Sequence, residues 1–223
     1  MAEHTTSERP HPGAPHALPA HGFDVRFWGR GGQGVVTSAE LLAMAAFAED
    51  RFAQAIPSFG SERMGAPVMA FCRISRRPIR TREPVAEPRA VVVSDITLVH
   101  HVDLFEGLRD GGSILVNTTR PLLELGIDRL VPAGVSATVV PVAATELARR
   151  FVGRPLPNAA LLGGLAALTE VVSLTSLGAA IRERFSGEVA EGNVAAATAA
   201  YDAVASGNGS RRRTGKPLAP TGS

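Results

Sequence analysis

Phe23-Asp24-Val25-Arg26-Phe27-Trp28-Gly29-Arg30-Gly31-Gly32-Gln33-Gly34 decides how the rest of the chain is read. Phe23, Val25 and Phe27 alternate with Asp24 and Arg26, the period of a strand with one apolar face. Four glycines then fall within six residues, and residues 33–48 read as a helix with Val36, Leu41, Ala43, Met44 and Phe47 toward a sheet. Strand, glycine turn and helix together make an anion site. Glycines let a ligand approach the main chain, and the free N–H groups of the first helical turn face it.

Gly29, Gly31 and Gly34 match G-x-G-x-x-G in the context that gives the pattern weight. A dinucleotide reading also needs an acid about 20 residues on, at the end of the next strand. Glu49 and Asp50 stand near that distance but end the helical pattern. The loop therefore reads as a dinucleotide site, another anion site, or a tight turn with no ligand.

The bulk numbers narrow the classes. At 223 residues and 45% apolar content the chain can bury one real core. No apolar run reaches the roughly 18 residues of a membrane span, and the N-terminus lacks a secretory pattern, so a cytoplasmic protein is expected. The net charge of +2 comes from a tail: residues 206–223 hold Arg211, Arg212, Arg213 and Lys216 and no acid. That is a poor argument for nucleic acid as a partner. Cys72 is the only cysteine and lies in an apolar run, so it reads as a core thiol. An iron–sulfur cluster is usually held by four. His4, His11, His16 and His21 have no metal-ligand spacing, and no metal site is expected.

Residues 1–22 and 206–223 read as disordered tails around one domain, 23–205. The expected fold class is α/β: a Rossmann-like, mostly parallel sheet with helices on both faces and a C-terminal helical section. Strands are expected over 23–28, 67–74, 90–95, 113–117 and 135–142, with a short one at 52–56. Helices are expected over 99–108, 121–131 and 143–151, then from Asn158, from Ser173 or Thr175 as cap, and over 187–204.

Two further segments carry polar groups. Ser58-Phe59-Gly60-Ser61-Glu62-Arg63-Met64-Gly65-Ala66-Pro67 sets a charged pair among glycines. Arg63 could grip a phosphate or carboxylate, or make an intersubunit ion pair. Ser94-Asp95 and Asn117-Thr118-Thr119 follow buried runs, where ligands collect in open α/β sheets, although capping explains each singly. No phosphate-loop, nucleophile-elbow or zinc-protease motif is present, and no catalytic residue can be assigned.

The G-R-G-G-Q-G at 29–34, the E-R-M-G-A-P at 62–67, the V-M-A-F-C-R-I-S strand, the S-D at 94–95 and the P-N-A-A-L-L-G-G-L at 157–165 resemble the gamma subunit of 2-oxoacid:ferredoxin oxidoreductases, the pyruvate enzymes nearest. The resemblance spans roughly residues 23–200. It implies a subunit that is incomplete alone: thiamine diphosphate and iron–sulfur clusters on partner subunits, ferredoxin or another acceptor served through them, and acyl-CoA as product. On that reading Gly29, Gly31, Gly32 and Gly34 would offer N–H groups to coenzyme A, with Gln33, Arg63 and Asn117 as side-chain contacts. The rivals are a stand-alone NAD-dependent dehydrogenase and a purely structural subunit.

Overall fold

The computed structural model describes residues 18–19, 22–58, 65–207 and 212–214. The order of elements is β1 (Phe23–Arg30), α1 (Val35–Phe47), β2 (Phe52–Ser58), β3 (Pro67–Ser75), β4 (Ala90–Val93), a 3-10 turn (Ile96–His100) and β5 (Gly112–Asn117). There follow α2 (Leu122–Leu125), β6 (Ala137–Val142), α3 (Ala144–Val152), α4 (Asn158–Thr169), α5 (Leu174–Arg184), α6 (Gly187–Ala205) and β7 (Arg212–Thr214). The expected Rossmann-like α/β architecture is the one that forms.

Seven strands make one sheet in the order β2-β3-β1-β4-β5-β6-β7. Its centre, β1-β4-β5-β6, is parallel, in register Val25 to Ala90, Val91 to Ile114 and Gly112 to Ala137. The hairpin β2–β3 and the strand β7 add antiparallel edges. β1 is thus central, and its carboxyl end lies beside that of β4 where the chain leaves in opposite directions. That is the switch point at which such sheets open a crevice.

The alternation read in β1 sorts the two cores. Val25 and Phe27 join the larger core with α1, α4, α5 and α6; Trp28 joins the smaller one on the other face. The helical cover is uneven. The long helices share the first face, while the second carries α2, the 3-10 turns at Ile96–His100 and Ile127–Arg129, and coil.

Several expectations need correction. Residues 99–108 form no helix; a 3-10 turn ends at His100 and turns follow. The helix expected over 121–131 is broken at Gly126, whose φ of 60° suits glycine. Phe47, assigned to the sheet, is 63% exposed, because α1 turns Ala39, Leu42 and Ala46 inward instead. The domain also runs past its expected limits: Leu18 is buried in the first core, and β7 lies in the segment expected to be a disordered tail. Of the two expected tails, residues 1–17, 20–21, 208–211 and 215–223 lie outside the described ones.

Candidate functional site

At the end of β1 the chain must turn, and its last N–H groups need acceptors. Gln33 folds back to accept the Arg30 N–H at 2.8 Å, and the Gln33 N–H donates to Arg30 O at 3.0 Å. The side chain expected to reach a ligand therefore closes the turn. Gly31 N–H donates to Ala66 O. Gly34 then opens α1 with φ 73° and ψ 28°, the left-handed region, and leaves no side-chain cap. The N–H groups of Gly32, Gly34, Val35, Val36 and Thr37 have no acceptor among the described residues. The loop is an open donor edge at a helix N-terminus, the geometry that favours an anion.

Two glycines are fixed by close approach. A Cβ at Gly29 would lie 2.5 Å from Val35 Cγ2 and 3.2 Å from Ser94 Cβ. One at Gly34 would lie 3.0 Å from Asn158 Nδ2. The start of α4 is therefore packed against the start of α1, which spacing along the chain does not reveal.

Below the loop lies an ion pair that the sequence reading missed. Arg30 Nε donates to Asp95 Oδ2 at 3.0 Å, and its other nitrogens reach Gly65 O and Thr97 Oγ1 at 2.9 and 2.8 Å. Asp95 also accepts from the Thr97 N–H and hydroxyl. It thus caps the 3-10 turn, as one reading expected, and ties β1 to β4. Partial burial pushes the Asp95 carboxyl up, but the Thr97 hydroxyl, the Thr97 N–H and the Arg30 guanidinium outweigh it and hold the group below its ordinary value. A depressed carboxylate contributes stability above its unfolded value, about pH 4, and loses it as pH falls through the lower folded value. The stability gap between wild type and Asp95→Asn should therefore be full at neutral pH and shrink in acid. Denaturant melts at several pH values check this, and a gap that widens on acidification overturns it.

Asn117 is committed internally. Its Nδ2 donates to Ser94 O and Thr145 Oγ1 at 2.9 and 2.8 Å, and its Oδ1 accepts the Thr145 N–H. It clamps β5 to β4 and to the start of α3 rather than offering a free amide. A cleft of about 220 Å³ opens beside it, lined by Thr118, Thr119, Arg120 and Thr145 among others. A larger one, about 440 Å³, is lined by His100, His101 and Arg129 on the other face of the sheet and shares no residue with the glycine loop. Arg63 lies outside the described residues.

Of the two acids proposed for a nicotinamide ribose, Glu49 is occupied elsewhere. Glu49 Oε1 accepts the Ser173 N–H at 2.6 Å, its other oxygen lies 3.6 Å from Arg51 Nη2, and Asp50 sits in a turn with φ 57°. Glu49 thereby locks the end of α1 to the segment before α5. Cys72 is fully buried, and burial, with the nearby Asp24 carboxylate, pushes its thiol up. Among the described residues no three His, Cys, Asp or Glu side chains group to hold a metal.

The model of the pyruvate ferredoxin/flavodoxin oxidoreductase family matches residues 24–203. The chain belongs to that family. It is 45% identical over 180 residues to the pyruvate/ketoisovalerate oxidoreductases common subunit gamma of Pyrococcus furiosus, covering 81% of this chain and 96% of that one. Pyruvate oxidoreductase subunit PORC of Thermotoga maritima superposes with TM-score 0.70 at 33% identity, covering 82% of this chain and 96% of PORC. The same fold recurs, at 18% identity and TM-score 0.64, over 82% of this chain and 31% of a 2-oxoglutarate:ferredoxin oxidoreductase chain from Magnetococcus marinus, a structure holding 2-oxoglutarate, coenzyme A and succinyl-CoA. The dehydrogenase reading finds no support in these relatives. Among the described residues no helix is long and apolar enough to cross a membrane.

Proposed function

We propose that the chain is the gamma subunit of a multi-subunit 2-oxoacid:ferredoxin oxidoreductase, with pyruvate as the foremost substrate, working in the cytoplasm. One observation carries this reading: the match to a gamma subunit runs over nearly that subunit's whole length at 45% identity. One buried cysteine cannot supply the four thiolates that a cluster usually takes, which supports placing electron transfer elsewhere. Thiamine diphosphate and the iron–sulfur clusters then belong to partner subunits, and ferredoxin is reduced through them.

The part this chain plays is electrostatic and steric. Coenzyme A is a polyanion, and the open edge formed by Gly32, Gly34 and the first turn of α1 suits its phosphoryl groups. Gln33 holds the loop in shape from behind, so its role is positioning. Arg63 is a further candidate contact, and Asn117, bonded to Ser94 and Thr145, holds the strand ends in place.

The test is Gly31→Val in the assembled complex. A branched side chain there narrows the approach and should raise KM for coenzyme A about tenfold or more, the loss of roughly one charge-assisted hydrogen bond. KM for the 2-oxoacid is the comparison. Loss of assembly without an effect specific to coenzyme A would make the loop a structural contact instead. Tight NADH binding by the purified chain would overturn the reading altogether.

A further inference from the structure

Arginine is concentrated at the end of the sheet opposite the glycine loop. Residues 73–89 hold six arginines, Arg73, Arg76, Arg77, Arg80, Arg82 and Arg89, against two acids, Glu83 and Glu87. Residues 23–205 as a whole carry 18 basic and 19 acidic side chains, so the rest of the domain is acidic. β3 runs antiparallel to β1 and pairs Ile74 with Phe23, and β4 begins with Ala90 beside Val25. The segment between them therefore lies at the amino end of β1. The glycines stand at the other end, about 25 Å away along eight extended residues.

Few of these charges are neutralised. Arg73 pairs with Asp24 at 3.2 Å, and Arg109 comes in from the following segment to pair with Glu87 at 3.1 Å. Arg76, Arg77, Arg80 and Arg82 are exposed and have no ion pair among the described residues. Buried nitrogens of Arg73, Arg89 and Arg109 also lack an acceptor, so donors outnumber carboxylates at this end. The segment is nevertheless held in shape. Val85 is buried, its carbonyl and that of Ala86 accept from Arg26, and the Pro88 carbonyl accepts the Arg109 N–H. The Ser75 and Thr81 hydroxyls accept the N–H groups of Arg77 and Glu83. A charged surface fixed in advance loses little freedom on docking.

These features select the occupant. Nothing in 73–89 is aromatic, and no helix or strand presents the exposed arginines, so nucleic-acid bases have nothing to stack on and no groove is entered. No exposed large apolar side chain lies in the segment, so a membrane gains no anchor. Arginine forks match carboxylates, which leaves an acidic protein face. Permanent subunit contacts are largely apolar at their centre, and this surface has no such centre; it suits a partner that binds and leaves. In the proposed reaction the protein that must leave at each turnover is the reduced electron carrier. We infer that the arginine segment 76–82 is a docking face for an acidic electron-carrier protein of the ferredoxin class, steering it to the complex by charge. This rests on the proposed function and adds a partner surface to it.

The variant Arg77→Glu/Arg80→Glu reverses two exposed charges far from the glycine loop. In the assembled complex at low ionic strength it should raise KM for an acidic ferredoxin about 10- to 100-fold, within the span over which steering acts. The rise should shrink severalfold in roughly 0.5 M salt, where surface charges are screened. KM for the 2-oxoacid and for coenzyme A, measured with methyl viologen, a small cation, as acceptor, should stay within about twofold, since both sites lie beyond the screening length. Arg77→Lys/Arg80→Lys keeps the charge and should stay within about threefold for ferredoxin. A ferredoxin KM for the reversed variant within about twofold of wild type at low salt overturns the docking face. So does a rise that salt leaves unchanged, or an equal loss with methyl viologen. A variant complex that comes apart on gel filtration makes the segment a subunit contact and overturns it too. If the wild-type complex oxidises a 2-oxoacid with viologen and only the ferredoxin result fails, the proposed function stands without this face. If it oxidises none with either acceptor, both fall.

Discussion

Gly163→Ala is expected to lower the melting temperature by about 10 °C, the equivalent of roughly 3 kcal/mol for a domain of this size. In an exposed helix the same change would help by about 1 kcal/mol, because alanine loses less backbone freedom. Here the contact reverses the sign. Gly163 lies in the middle of α4, where α4 crosses α6, and a Cβ would sit 1.9 Å from Ala197 O and 2.7 Å from Ala197 Cα. These are main-chain atoms and cannot rotate away, so the two helices must separate by about 1 Å. The adjacent Gly164 is the control. A Cβ there meets the methyl groups of Val142 at 3.2 Å and Leu115 at 3.3 Å, which can give way. Gly164→Ala should fall within about 1 kcal/mol of wild type, the helix-propensity gain offsetting a small strain. Melting curves of the two variants decide the matter, and equal melting points would show that α4 and α6 are not packed as described. Because α4 also carries Asn158 to the glycine loop, a shift of this helix should weaken the site as well as the fold.

The contrast between these neighbours shows where sequence reading stops. Gly163 and Gly164 are indistinguishable as neighbours in the sequence, whereas the first marks the tightest contact of α4. The strand, loop and helix at 23–47 were legible because every signal in them is local: alternation, glycine spacing and a helical apolar stripe. The part Gln33 takes in closing the turn is hidden in the sequence because it is set by the orphan N–H of Arg30, a demand visible only once the strand end is built. The pairing of Arg30 with Asp95 and the packing of Asn158 on Gly34 are hidden for another reason. Their partners are distant in sequence, and only the parallel register of β1 and β4 and the return of α4 bring them together. The helix expected at 99–108 failed on the same ground. Val99, Val102, Phe105 and Leu108 have helical spacing and are largely buried, but the carbonyls of Leu104 and Glu106 accept from Trp28 and Arg26 of β1. A helix would turn those acceptors inward to its own N–H groups.

That exchange makes Arg26 the second residue with a large expected effect. It is 6% exposed beneath the second face of the sheet and donates to Glu106 O, to Val85 O at 2.9 Å and to Ala86 O at 3.2 Å. Its guanidinium stands 5.7 Å from the Phe71 ring centroid. Burial pulls its pKa down, with Glu106 and Asp103 opposing. The two segments it joins also pack on each other: a Cβ at Gly107, whose φ is 69°, would meet Ala86 O at 2.1 Å. No long helix covers this face, so one guanidinium takes the part that a helical ladder takes on the other. Arg26→Met keeps much of the apolar stem and removes the fork, leaving three carbonyls without donors. A loss of about 3–4 kcal/mol is expected, since donors to buried carbonyls that carry charge contribute roughly 1.5–3 kcal/mol each and part of the loss is recovered by water. Arg26→Lys should recover only a fraction, because a single ammonium cannot span three acceptors set by a planar group. Amide exchange supplies the specific readout. Residues 83–88 and 103–108 should lose protection together, while amides of α4 and α6 follow the global stability alone. Protection lost in one of the two segments and kept in the other would mean that they are held separately, and that Arg26 is not the tie between them.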